Sequence, residues 1–146
     1  MERGLPGLES HEDLLARAPA SFRGATVTSI SSTFALGSAR KRLETYNAWA
    51  LEAGSAGFRT EGPEMVLGLT DTKLIVWKTT FWFNRPGSIA GEVPLDKVHD
   101  VAAARHGMVT GLAIAFKNGR IVEVEAMRGR RLRHLAARMQ ELIGAG

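Results

Sequence analysis

Residues 108 to 125 read MVTGLAIAFKNGRIVEVE, and this stretch selects its own register. Met108, Thr110, Leu112, Ile114 and Phe116 alternate on one face of a strand, and Val122 and Val124 are the apolar positions of its partner. A two-residue Asn118-Gly119 turn would set Ile114 opposite Glu123 and mix the core and solvent faces. A three-residue loop, Lys117-Asn118-Gly119, pairs Ile114 with Val122 and Leu112 with Val124 instead. Its last position needs positive φ, which Gly119 supplies. The spacing therefore predicts a hairpin with a bulged three-residue turn.

Downstream, Leu132, Leu135, Ala136, Met139, Leu142 and Ile143 share one stripe of a helix that Gly144 ends. Such a helix packs across a meander and buries what its open side would expose. Upstream, Met65 to Leu69, a turn at Thr70-Asp71-Thr72, and Lys73 to Phe83 predict another hairpin. Ile75, Trp77, Phe81 and Phe83 share one face of its second strand, and Leu74, Val76 and Trp82 the other. Asn84-Arg85-Pro86-Gly87 ends that strand, since proline lacks the ladder donor. Ile89 to Val93 and Val98 to Ala104 follow as two more strands.

The first 60 residues carry a less regular pattern. Ser10 can cap a short helix that Pro19 stops at Ala18. Ala25 to Leu36 favours a strand through Val27, Ile30, Phe34 and Leu36. Ser38 to Ala53 reads as a helix capped by Gly54, although Tyr46, Ala48 and Ala50 also alternate as in a strand. Residues 54 to 62 read as a loop. The expected organisation is an N-terminal extension with a short helix over 1–23 and one domain over 24–146.

The chain has 146 residues, 45% hydrophobic and 23% charged, which suits one ordinary α+β domain. Cysteine is absent, which removes disulfides, thiolate nucleophiles and cysteine-ligated metals. No apolar run follows Met1-Glu2-Arg3-Gly4, so no signal peptide is expected. No stretch approaches the roughly 18 apolar residues of a membrane span. The expected location is the cytoplasm. Residues 105 to 138 hold eight Lys and Arg against only Glu123 and Glu125, within a net charge of +4. That field attracts anions, and it equally describes a solvated face that keeps the protein soluble.

From Met65 onward the pattern resembles the pleckstrin-homology-like superfamily, particularly its small bacterial and GRAM-like branches. The residues that carry the resemblance are MVLGLTDTKLIVW (65–77), GEVPLDKV (91–98), FKNGRIVEVE (116–125) and the terminal helix. It covers a little over half the chain, and its motifs are structural rather than chemical. It implies a strongly bent antiparallel barrel of about seven strands, capped at one corner by the last helix. Ala25–Leu36 would be strand 1, and the helix over 38–53 an insertion that departs from the simplest family pattern.

Little in the chain suggests catalysis. His11, His99, His106 and His134 lie on separate elements, without the spacing of a metal site. Glu123 and Glu125 share a strand face as a carboxylate pair would, and their alternation with valines also fits a solvated sheet face. No nucleophile elbow, phosphate loop or dinucleotide fingerprint appears, so neither an enzyme, a cofactor nor a small-molecule substrate is expected.

Two groups of residues suggest binding. Arg128, Arg130, Arg131 and Arg133 open the last helix, where cations oppose the helix dipole at about 0.3–1 kcal/mol each. Hydration or Glu123 and Glu125 would compensate them; the alternative is an anionic partner. The resemblance implies that the connections after strands 1, 3 and 6 open at one end. That would gather Arg40, Lys41 and Arg42; Phe81, Trp82, Phe83 and Arg85; and Lys117 and Arg120. Cations beside aromatic rings suit an anionic membrane surface, and the aromatic run also reads as core or as a subunit interface. The leading expectation is a non-catalytic module that binds a protein partner or itself through the aromatic strand and a flat sheet edge. Peripheral binding of anionic phospholipid is the alternative. Nucleic-acid binding by the arginine-rich helix comes third, because no reading motif is present and the apolar stripe occupies one side of that helix.

Overall fold

The computed structural model describes residues 13–22, 36–79 and 86–145, and within them the 108–125 hairpin forms in the expected register. Its strands are β6 (Val109–Phe116) and β7 (Ile121–Met127), with Ile114 opposite Val122 and Leu112 opposite Val124. Phe116 accepts from Gly119 N–H at 3.0 Å and donates to Arg120 O at 2.8 Å, which closes the three-residue loop. Gly119 takes φ +90°, as the bulged turn requires. One expected member leaves the face: Met108 sits in the preceding turn and is 56% exposed.

In chain order the remaining elements are β1 (Ala16–Phe22), α1 (Leu36–Ala56), β2 (Glu64–Leu69), β3 (Lys73–Thr79), β4 (Pro86–Pro94), a 3-10 turn (Leu95–Lys97), β5 (Val98–His106) and the C-terminal α2 (Arg130–Ala145). The strands form one open antiparallel sheet in the order β4-β3-β2-β1-β7-β6-β5. This is the expected α+β class. The outer strands β4 and β5 lie six spacings apart, about 29 Å across a flat sheet. Only Leu95–Lys97 joins them, and such a link reaches about 14 Å at most. The sheet must therefore curl until its two edges approach each other. Leu95 N–H bonds Thr72 O and Lys117 N–H bonds Lys97 O, which fastens the link to both neighbouring hairpin turns.

The N-terminal expectation is overturned. In place of a helix reaching Ala18 there is β1, and it pairs with β2 and β7 in the middle of the sheet. The first strand among the described residues is thus Ala16–Phe22, inside the expected N-terminal extension; of the strand expected over Ala25–Leu36, Leu36 belongs to α1 and the rest lies outside the described residues. Residues 1–12 and 23–35 lie outside the described residues. Ala16, Ala18, Ala20 and Phe22 are buried in strict alternation, a strand signal disguised by alanine's helical propensity. Pro19 is tolerated for a definable reason. Phe22 N–H bonds Pro63 O, so even-numbered residues of β1 face β2. Pro19 faces the other side, where β7 pairs only with Ser21 and Phe22, so no ladder bond is lost.

The helix expected from Ser38 forms as α1 but outruns Gly54. Its cap is Gly57, at φ +109°. Phe58 N–H bonds Ala53 O at 2.9 Å and Gly57 N–H bonds Gly54 O at 3.2 Å, the paired bonds of a Schellman motif. Tyr46, Trp49, Ala53 and Ala56 face inward, whereas Leu43 is 59% exposed. Trp49 donates to Glu123 O at 2.7 Å, and Asn118 Nδ2 donates to Ala56 O at 3.3 Å. These bonds dock α1 against the start of β7.

The main core lies on the inner face of the curl. Leu67, Leu69, Leu74, Val76, Leu112 and Ile114 meet Leu132, Leu135, Ala136 and Met139 of α2, which follow the expected stripe. Burying such side chains stabilises the fold by about 1.5–3 kcal/mol each, before chain entropy is counted. A second, smaller cluster of Val66, Ile75 and Trp77 lies on the outer face beneath Leu14 and Ile89. Among the described residues no helix is long and apolar enough to cross a membrane.

Candidate interaction surfaces

The outer face differs between the two halves of the sheet. Over β2–β4 it is filled by the Trp77 cluster. Over β5–β7 it is carpeted with Ala102, Ala104, Gly111 and Ala113, whose small side chains leave a shallow groove of about 290 Å³. His106, Val109, Glu123 and Glu125 also line it. The carboxylates depart from the expected solvated face. Glu125 is 6% exposed and Glu123 half-buried. Glu125 sits where β1 meets β7, between Ser21 and Gly111. Among the described residues no three His, Asp or Glu gather closely enough to hold a metal ion.

Strand β5 forms one edge of the sheet. Gln140 of α2 donates to Val101 O at 2.7 Å, and Asp100 Oδ1 accepts from Val101 N–H at 2.8 Å. These bonds show that odd-numbered residues of β5 turn their backbone groups outward, and that Val101 is already satisfied. The same parity turns Ala103 and Arg105 outward, while Ala104 faces Gly111 of β6. The distal half of β5 thus offers two N–H and two C=O groups at an edge that no side chain among the described residues closes.

Beside that edge lies a basic corner. The two-residue turn Gly107-Met108 joins β5 to β6, and Arg128 N–H bonds Met108 O at 2.6 Å, pinning it to the β7–α2 link. Arg128 adopts φ +63°, the single non-glycine at positive φ among the described residues. Gly129 follows at φ +42° and its carbonyl accepts the first bond of α2, from Arg133 N–H. Met108 and Met127 stand 56% and 50% exposed there, and Arg105, Arg128, Arg130, Arg131 and Arg133 are exposed around them. Further along α2, Arg138 pairs with Glu141 at 2.9 Å.

The expected basic cluster is not assembled as read. Lys117 and Arg120 flank the β6–β7 turn, which Asn118 ties to the C-terminal end of α1. Lys41, with Arg40 and Arg42, lies 15 residues back along that helix, about 22 Å at 1.5 Å per residue. Arg130 and Arg133 lie at the far end of β7, about 20 Å from the same turn. Phe81, Trp82, Phe83 and Arg85 lie outside the described residues. Arg105 and the methionine pair escaped the sequence reading, since Met108 fits the alternation of β6 and masks the turn signal that Gly107, at φ +63°, supplies beside it. Comparison with known proteins finds no matching family model and no matching curated protein.

Proposed function

We propose that this chain is a non-catalytic, pleckstrin-homology-like binding module of the cytoplasm that pairs with a second copy of itself through the edge of β5. The curled seven-strand sheet with its closing helix supports the family reading. The open distal half of β5 supports the mode of binding. A two-fold antiparallel pairing centred on Ala104 sets Ala103 opposite Arg105 of the second copy, twice over. It uses all four open backbone groups, makes no demand on Val101, and brings no like charges opposite each other. The alanine floor of the neighbouring groove leaves room for the approach.

Proline substitution tests this. Ala103→Pro removes a donor that faces outward, so stability should change by less than about 1 kcal/mol while self-association is lost. Ala104→Pro removes a donor that faces Gly111 and should cost about 2 kcal/mol. Light scattering across concentration reads the outcome. A wild-type chain that stays monomeric at millimolar concentration, or an Ala103→Pro variant that still associates, rules out the pairing.

A further inference from the structure

We infer that the pocket between α1 and the first residues of β7 binds a small, free organic cation of the quaternary ammonium class. The inference is independent of the β5 pairing. The pocket has a volume of about 180 Å³ and is lined by Trp49, Glu52, Ala53, Ile121, Val122 and Glu123. That is below the roughly 300–1,000 Å³ of a site for a drug-sized ligand, so it suits a compact group. Trp49, Glu52 and Ala53 stand at i, i+3 and i+4 on α1, which puts them on one face of the helix. The indole is fixed in place without a ligand. Its Nε1–H donates to Glu123 O at 2.7 Å, and the rings of Phe22, Tyr46 and Phe58 pack beside it with centroids 6.2, 6.3 and 6.1 Å away. A wall held in this way loses little freedom when a ligand arrives.

The charged residues of the lining are Glu52 and Glu123, and both are negative. The rest is one indole and three aliphatic residues. This combination excludes most classes of ligand. A phosphate or carboxylate would meet only like charge. A neutral apolar molecule would take water from the carboxylates and return no interaction to them. An inorganic cation needs several oxygen ligands, which Ala53, Ile121, Val122 and the indole do not supply. A methylated ammonium matches both kinds of surface. Its charge attracts the carboxylates and the indole, tryptophan being the best aromatic partner for a cation, and its methyl shell packs on the aliphatic wall. Ile121 fits this role: it is 62% exposed beside the pocket, where such a shell would cover it.

Titration of the intact chain with choline, followed through the amide and indole N–H signals by NMR, tests the assignment. The Trp49 indole and the amides of residues 121–123 should shift together and saturate, with a Kd on the order of 1–10 mM. The indole of Trp77, in the outer cluster, should not move. The neutral isostere of choline, with a quaternary carbon in place of the nitrogen, should bind at least about fivefold more weakly. Glu52 is exposed, so Glu52→Gln should keep the melting temperature and weaken choline binding about three- to fivefold. Trp49→Phe keeps a ring of lesser attraction and should weaken it about two- to fivefold. Several results would overturn the assignment. One is no saturable shift of these signals well above the millimolar range. Another is equal binding of the neutral isostere, or undiminished binding by Glu52→Gln. Phosphocholine that binds as tightly as choline would mean that the site accepts an anion beside the ammonium. A trimethyl-lysine peptide that binds more tightly than choline would make the occupant a protein side chain rather than a free cation.

Discussion

Replacing Gly129 with alanine is expected to lower the melting temperature by about 10–15 °C, a loss of about 3–4 kcal/mol. Two costs add. Gly129 holds φ +42°, a left-handed conformation that a side chain makes strained. A Cβ at this position would also overlap Thr110 Cβ and lie 2.6 Å from Thr110 Oγ1 and 3.0 Å from Cγ2. Thr110 is fully buried near the start of β6, and its Cβ is fixed to the strand backbone, so it cannot swing aside as a long side-chain end could. Thermal melts of two double variants identify the source. Thr110→Gly should recover part of the loss by removing the overlapping atom, whereas Thr110→Ala keeps that Cβ and should recover little. Full rescue by Thr110→Ala would place the clash on the hydroxyl or methyl group instead. The position matters beyond stability, because Gly129 sets the first turn of α2 against β6 and so aims the arginines of the corner.

The strands from Met65 onward were legible because their pattern and their turns agree. Gly119 and the Val122/Val124 pair admit one register, and that register forms. The stripe from Leu132 to Met139 likewise names the side of α2 that is buried. The N-terminal strand was not legible for two reasons. Its buried positions Ala16, Ala18 and Ala20 have little β propensity, and Pro19 is acceptable only because β7 diverges there, a fact of tertiary structure. The end of α1 carried a signal that Gly54 obscured: glycine followed by a large apolar residue, Gly57-Phe58, marks a Schellman cap. The binding surfaces were harder still. Periodicity tells which residues of β5 alternate; it does not tell that β5 is an edge, or that Gln140 and Asp100 close only its first half. The partner that stands opposite buried Glu125 across the ladder, Ser21, is more than 100 residues away in the chain.

Trp77→Ala is expected to cost about 3–5 kcal/mol, although Trp77 lies on the face of the sheet turned away from the main core. The indole has no measurable exposure and lies over Gly68 on the neighbouring strand. A Cβ on Gly68 would overlap Trp77 Cζ3, sit 2.5 Å from Cη2, and approach Leu14 Cδ1 to 3.0 Å. Glycine is therefore required at 68 to admit a large ring, not to permit an unusual backbone. Gly68→Ala alone should cost about 2–3 kcal/mol by overpacking a rigid, enclosed ring. Because both residues shape one space, their effects should not add. Trp77→Leu combined with Gly68→Ala should be more stable than the sum of the two single losses by about 1–2 kcal/mol, measured by urea unfolding. Strict additivity would mean that the indole is free to move off Gly68 and that the outer cluster is loosely packed. The distinction bears on function. If Val66, Ile75 and Trp77 form a rigid second core, the β2–β4 half is committed to stability on both faces, and contact with partners falls to the β5–β7 half, where the outer face is left to alanine and glycine.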